Sequence, residues 1–291
     1  MSDTPEHILS LSYGKDSMAC FGACEILGWP IDRVVTAEVW ATDTIPADLP
    51  PMVEFKAKAD RIIKERWGIE VEHFCAQRDG EKKTYQNVFY REVSEKALQK
   101  RKSNPNFRGV GRLEIYGFPA ALKGSWCVSE LKTSALKVMR SKNDITYLGV
   151  AADEPRRFHN LTTTQKSPLV EAGWTEADCR RWCEENDLLS PIYTTATRGG
   201  CWFCHNQGVD QLRLLRRNYP DLWALMLKWD NDSPVTFHAD GHTVHDYDDR
   251  FRLEDEELIP ENQPFRWSVL DETQLTADWY ITRGGDHHDQ R

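Results

Sequence analysis

No stretch of this sequence approaches the roughly 18 consecutive apolar residues of a membrane span, so none is expected. Residues Met1 to His7 carry neither the basic start nor the apolar stretch of an export signal, and a cytoplasmic location is expected. Eight cysteines in a chain without such a signal argue against a disulfide framework and turn attention to metal or catalytic use. Basic charge is in deficit: 37 Lys and Arg stand against 46 Asp and Glu, a formal net charge of −9. That balance excludes a generally basic nucleic-acid coat. One local cluster, Lys96, Lys100, Arg101, Lys102, Arg108 and Arg112, reads equally well as a solvated helix end and loop or as a polynucleotide contact. Two familiar glycine signatures are missing as well. The first loop lacks the glycine that a Walker motif places ahead of its Gly-Lys pair across a four-residue spacer, and it lacks the spaced glycines of a dinucleotide fingerprint. No internal repeat is present.

What is there fits a globular α/β protein. At 291 residues, with 40% apolar and 29% charged side chains, the chain can bury a sizeable core. Its organising stretch is Ile8-Leu9-Ser10-Leu11-Ser12-Tyr13-Gly14-Lys15-Asp16-Ser17. An apolar strand ends at Ser12, and helix-forming sequence runs from about Asp16 to Leu27. Such a turn offers backbone N–H groups and a helix N-terminus to an anion, and Lys15 adds a positive charge. A nucleotide phosphate is the natural ligand.

Further strands are predicted at Arg33–Ala41, Ile69–Phe74 and Ile145–Val150, with a helix over Met52–Trp67. This alternation implies a parallel, right-handed sheet. Polar clusters at Asp43 and at Asp153-Glu154-Pro155-Arg156-Arg157 follow strands, where open α/β sheets bind ligands. Lys83–Lys102 reads as a polar helix leading into a loop that reaches about Gly124. Cys20 and Cys24 read as core thiols on one helix face. Thr175–Asp187 is a helix bearing Cys179 and Cys183, and Gly208–Trp229 a helix pair broken near Pro220. From Asn231 the chain reads as acidic and irregular, with His238, His242 and His245 facing solvent.

Cys201-x-x-Cys204, preceded by Arg198-Gly199-Gly200, is a chelating turn that zinc, an iron–sulfur cluster or a redox dithiol could use. Zinc would need further ligands such as His205. A cluster would be completed by Cys127 and a fourth thiolate such as Cys183.

The Ser12–Ser17 loop resembles the Ser-Gly-Gly-Lys-Asp-Ser loop of the PP-loop ATP pyrophosphatases, with Tyr13 in place of the first glycine. The Trp126-Cys127 … Leu131-Lys132 element, the Asp153-Glu154 … Arg157 turn and Gly200-Cys201-Trp202-Phe203-Cys204 follow in order. Together, over roughly residues 7 to 230, they resemble the phosphoadenosine phosphosulfate (PAPS) reductase-like branch. More narrowly, the order is similar to that of bacterial and phage-borne members and of the related sulfur-transfer enzymes of DNA phosphorothioation.

The resemblance implies a PP-loop domain over residues 1–160, a helical cysteine-bearing part over 161–235 and an irregular acidic tail over 236–291. It implies that Ser12, Tyr13, Gly14, Lys15, Asp16 and Ser17 hold the nucleotide phosphates, with Lys15 and Asp16 catalytic. Asp43 would lie near the adenosine, and Asp153, Glu154 and Arg157 would line the nucleotide site. Cys127, Cys201, Cys204 and Cys183 would ligate an iron–sulfur cluster of the 4Fe–4S kind, with zinc as the alternative. Without Cys183 an iron site would stay open and could carry substrate sulfur. The activity implied is a transferase: ATP with Mg²⁺ (on Asp16 or Asp43) adenylates an acceptor, a nucleic-acid or nucleotide group. Pyrophosphate is released, and sulfur from a donor protein replaces the activated oxygen. Two other readings stand beside it, a sulfonucleotide reductase releasing sulfite and a non-catalytic nucleotide-binding module with structural zinc. PAPS reductases share a C-terminal attacking cysteine, whereas this sequence has none after Cys204.

Overall fold

The computed structural model describes residues 5–103, 107–108, 114–119, 125–137, 141–194, 200–261 and 267. Its sheet is built of β1 (His7–Ser10), β2 (Arg33–Glu38), β3 (Val71–Cys75), β6 (Ile145–Tyr147) and β7 (Gln165–Lys166), with β4 (Gln77–Arg78) and β5 (Glu81–Lys82) forming a separate hairpin. The five-stranded order is β3-β2-β1-β6-β7 and every pairing is parallel. Ile8 and Leu9 of β1 are fully buried, as a central parallel strand covered on both faces requires. The fold is therefore α/β and Rossmann-like.

Helix α1 (Lys15–Leu27) follows β1 directly and buries a continuous run from Ser17 to Cys24. Helix α2 (Pro50–Trp67) is amphipathic instead, burying Phe55, Ala59 and Ile63 on one stripe. Helix α3 (Glu176–Glu185) starts at a capping box in which Thr175 accepts from the Asp178 amide and Asp178 accepts from the Thr175 amide. It packs closely on α1: a side chain at Gly22 would bring its Cβ to 2.3 Å from the Trp182 ring nitrogen.

From β1 the chain steps outward to β2 and β3, then returns past β1 to place β6 on its other side. The strand order thus reverses between β1 and β6. Loops after these two strands meet at the carboxyl edge, the position where such sheets hold ligands. Gly149 makes the meeting close. A Cβ there would lie 2.5 Å from the Ser17 amide nitrogen and 2.7 Å from the Asp16 carbonyl carbon.

The chain divides into two compact units, Met1–Glu92 with Leu122–Cys204 and Val93–Ala121 with His205–Arg291. The first runs past residue 160, where the sequence reading placed a boundary. The second is built on α4 (Val209–Asn218), α5 (Pro220–Asp232) and α6 (Val244–Asp255). Its interior combines Leu212, Leu215, Trp223, Met226, Trp229, Tyr247 and Phe251 with paired buried charge. Arg213 and Arg250 both bond Glu254, and fully buried Asp230 accepts from Arg108 at 3.0 Å and from His245 Nδ1 at 2.6 Å.

Several expectations change here. The stretch after Asn231 is not irregular throughout, because α6 forms between Val244 and Asp255, capped by Thr243 and Asp246. Its apolar stripe Val244, Tyr247, Phe251 is masked in the sequence by acidic neighbours. The three histidines do not simply face solvent: His245 is held by Asp230, His242 stacks on Trp267 and His238 packs beside Phe237 and Tyr247. The polar helix expected over Lys83–Lys102 is two helices, Tyr85–Phe89 and Glu95–Lys102. Of the basic cluster, Arg108 is used internally on Asp230, while Arg112 lies outside the described residues.

Candidate functional site

The Ser12–Ser17 loop closes on itself. The Ser17 hydroxyl accepts from the Ser12 amide at 3.1 Å and contacts the Ser12 hydroxyl at 3.0 Å and the Gly14 carbonyl at 3.0 Å. Tyr13 holds the turn with φ at 56°, in the left-handed region that the glycine it replaces would enter freely. Its fully buried ring donates its hydroxyl to Asp60 at 2.6 Å, and burial and that carboxylate keep the hydroxyl protonated. His73 bridges Asp60 at 3.0 Å and Glu38 at 2.9 Å.

Lys15 Nζ lies 2.8 Å from Asp16 and 3.1 Å from Glu176 at the start of α3. Burial pushes the Lys15 ammonium down, but these two carboxylates outweigh it and the net shift is upward. Burial also holds the Asp16 carboxyl above its ordinary range, against the pull of Lys15. Asp16, Glu154 and Glu176 offer carboxylate oxygens all within 4.8 Å of one another, a set with the chemistry to hold a divalent cation. Glu154 is oriented by the Ala151 amide and by Arg157 at 2.6 Å.

These residues line a cavity of about 740 Å³, within the usual range for a small-ligand site. Its walls include Ser12 to Ser17, Glu154, Arg157 and Glu176, and also Asp48, Lys56, Lys132, Tyr193 and Cys201. Two expected residues are elsewhere. Asp43 is exposed and off the cavity wall, offering its carbonyl to Lys82. Asp153 turns to the N-terminus of α3 and accepts from the Glu176 amide at 3.1 Å, which positions Glu176 instead of lining the site.

The Cys201-Cys204 turn is anchored by the residues between its thiols. Trp202 is buried, donating its ring nitrogen to the Pro46 carbonyl and its amide to Ala47, while Phe203 packs on Tyr85 with centroids 4.2 Å apart. Tyr85 also packs on Trp126, beside Cys127. This aromatic wall brings Cys127, Cys201 and Cys204 into mutual electrostatic range. Cys127 opens a π-helix, Val128–Thr133, which carries Lys132 toward the same thiols. Burial pushes the Cys127 thiol up to about 11 and the Cys201 thiol up to about 12. Both therefore carry a proton at neutral pH unless a bound metal replaces it.

Cys183, expected as a fourth ligand, is not with them. It is buried in the core with Cys20, Cys24 and Cys179, and its thiol donates to the Lys15 carbonyl at 3.3 Å. Helix α3 turns that side chain inward toward α1, away from the cysteine turn. Arg198 and Gly199 lie outside the described residues. Glu176, Asp48, Lys56 and Tyr193 escaped the sequence reading because no local motif marks them. Only the α3 capping box hinted that Glu176 begins a helix.

Protein-family models and curated proteins were compared with this chain, and none matches it.

Proposed function

We propose that the protein is a PP-loop enzyme of the PAPS reductase-like kind that binds ATP, adenylates an acceptor and transfers sulfur to it. One observation carries the reading: a single cavity is lined at once by the Ser12–Ser17 loop, by the Asp16, Glu154 and Glu176 carboxylates, and by Lys132 and Cys201. A phosphate-binding turn and a thiol group facing one space are what coupled activation and sulfur delivery need.

In the first step an acceptor oxygen attacks the α-phosphorus of ATP. The bond to the β-phosphate bridging oxygen breaks, and pyrophosphate leaves. Loop N–H groups and Lys15 stabilise the charge on the phosphates, and Asp16, Glu154 and Glu176 would hold Mg²⁺ beside them. In the second step a sulfur nucleophile takes the activated position as AMP departs with the acceptor oxygen. The acceptor is a nucleic-acid or nucleotide group. Cys127, Cys201 and Cys204 fit an iron–sulfur cluster by donor chemistry: three half-buried thiols near Lys132, with Cys127 and Cys201 held protonated unless a metal replaces the proton. Such a cluster would supply the sulfur and redox chemistry of the second step.

The test joins ATP–pyrophosphate exchange with iron, sulfide and zinc analysis of anaerobically purified protein. Exchange that is abolished in Lys15→Ala, with iron and sulfide bound, is expected. Absence of ATP binding, or a colourless protein holding about one zinc, would overturn the reading.

A further inference from the structure

Tyr193 sits on a short 3₁₀ turn, Pro191–Thr194, that forms part of the cavity wall. Its hydroxyl accepts the backbone N–H of Lys15 at 3.1 Å. That N–H belongs to the first turn of α1, whose donors have no partner within the helix and form the anion-binding end. The hydroxyl also lies directly over Gly14, where an added Cβ would stand 3.2 Å from it. One donor of the phosphate loop is thus taken by a neutral oxygen of the protein itself.

We propose that Tyr193 is an internal competitor for the phosphate subsite, so that a nucleotide polyphosphate binds this loop by displacing the tyrosine hydroxyl. The inference rests on the nucleotide reading above and adds a residue that sets its affinity. A phosphate oxygen wins the exchange because a hydrogen bond to a charged acceptor is stronger than one to a neutral hydroxyl. The hydroxyl lowers affinity without blocking the site. Adenosine, which brings no phosphate to the loop, does not meet this competition.

The experiment is calorimetric titration of wild type and Tyr193→Phe with ATP, pyrophosphate and adenosine. The variant keeps the ring and removes only the competing oxygen. Expected is roughly fivefold tighter binding of ATP and of pyrophosphate, about the worth of one neutral hydrogen bond, with adenosine binding unchanged. A merely structural role for Tyr193 would weaken binding in the variant. Unchanged or weaker ATP binding overturns the proposal and leaves the nucleotide reading standing. Failure of both proteins to bind ATP or pyrophosphate removes the nucleotide reading and the proposal together. Amide hydrogen exchange supplies a ligand-independent check: the Lys15 amide should exchange faster in the variant, and equal rates would refute the hydrogen bond on which the exchange depends.

Discussion

His73 lies behind the phosphate loop with each ring nitrogen on a carboxylate, Nε2 on Asp60 and Nδ1 on Glu38. Both nitrogens donate only in the imidazolium form. Asp60 and then Glu38 therefore raise its pKa, against burial, to about 9 from an unfolded value of 6.5. A group whose pKa is raised on folding stabilises fully below the unfolded value and loses that contribution as pH climbs through the folded one. The window is thus pH 6.5 to about 9. A shift of this size corresponds to about 3 kcal/mol at most. The ring is 30% exposed, with its partners similarly so, and solvent screening reduces the expected effect to about 1–2 kcal/mol. The perturbation is His73→Gln, which keeps hydrogen-bonding capacity and removes the charge. Urea unfolding of both proteins from pH 6 to pH 10 measures the stability gap between them. The gap should be widest near pH 6 and close by roughly 1–2 kcal/mol toward pH 10. A gap that stays constant across this range would refute the charged bridge. Because Asp60 also accepts from the Tyr13 hydroxyl, ATP affinity should fall over the same window.

Three further outcomes are expected. Gly149→Ala drives a methyl group into the backbone at Asp16 and Ser17, which cannot swing aside. It should cost about 1–3 kcal/mol and weaken ATP binding, and an unchanged melting temperature with full affinity would show the close approach to be wrong. Trp202→Ala empties a buried site and frees the cysteine turn from Pro46. Urea unfolding should show a loss of about 3–5 kcal/mol, with a lower iron-to-protein ratio after anaerobic purification. Cys127→Ala, Cys201→Ala and Cys204→Ala should each lose iron, whereas Cys183→Ala should keep it. Iron loss in Cys183→Ala equal to the others would return that residue to the ligand set.

Local pattern made much of the fold legible. Valine-rich and apolar runs at Ile8, Arg33 and Ile145 alternate with helical segments, and backbone geometry turns that alternation into parallel strands. The short edge strand Gln165–Lys166 and the hairpin Gln77–Lys82 carry no such run and were invisible. Within the site, the Ser12–Ser17 loop could be found because its residues are contiguous and their chemistry is local. Cys201 and Cys204 could be found because a chelating turn needs fixed spacing.

Residues adjacent in the chain thus set the strand–helix alternation, the loop at the first turn and the thiol pair. Long-range packing put Cys183 in the core and not beside Cys201, since helix α3 packs on α1 through Gly22 and Trp182. The same packing brought Glu176 to Lys15, Tyr193 to the Lys15 amide and Asp153 to a helix end in place of the cavity. Each of those meetings joins residues far apart in the chain. Their partners are fixed by strand order and helix packing, which no local run of side chains encodes.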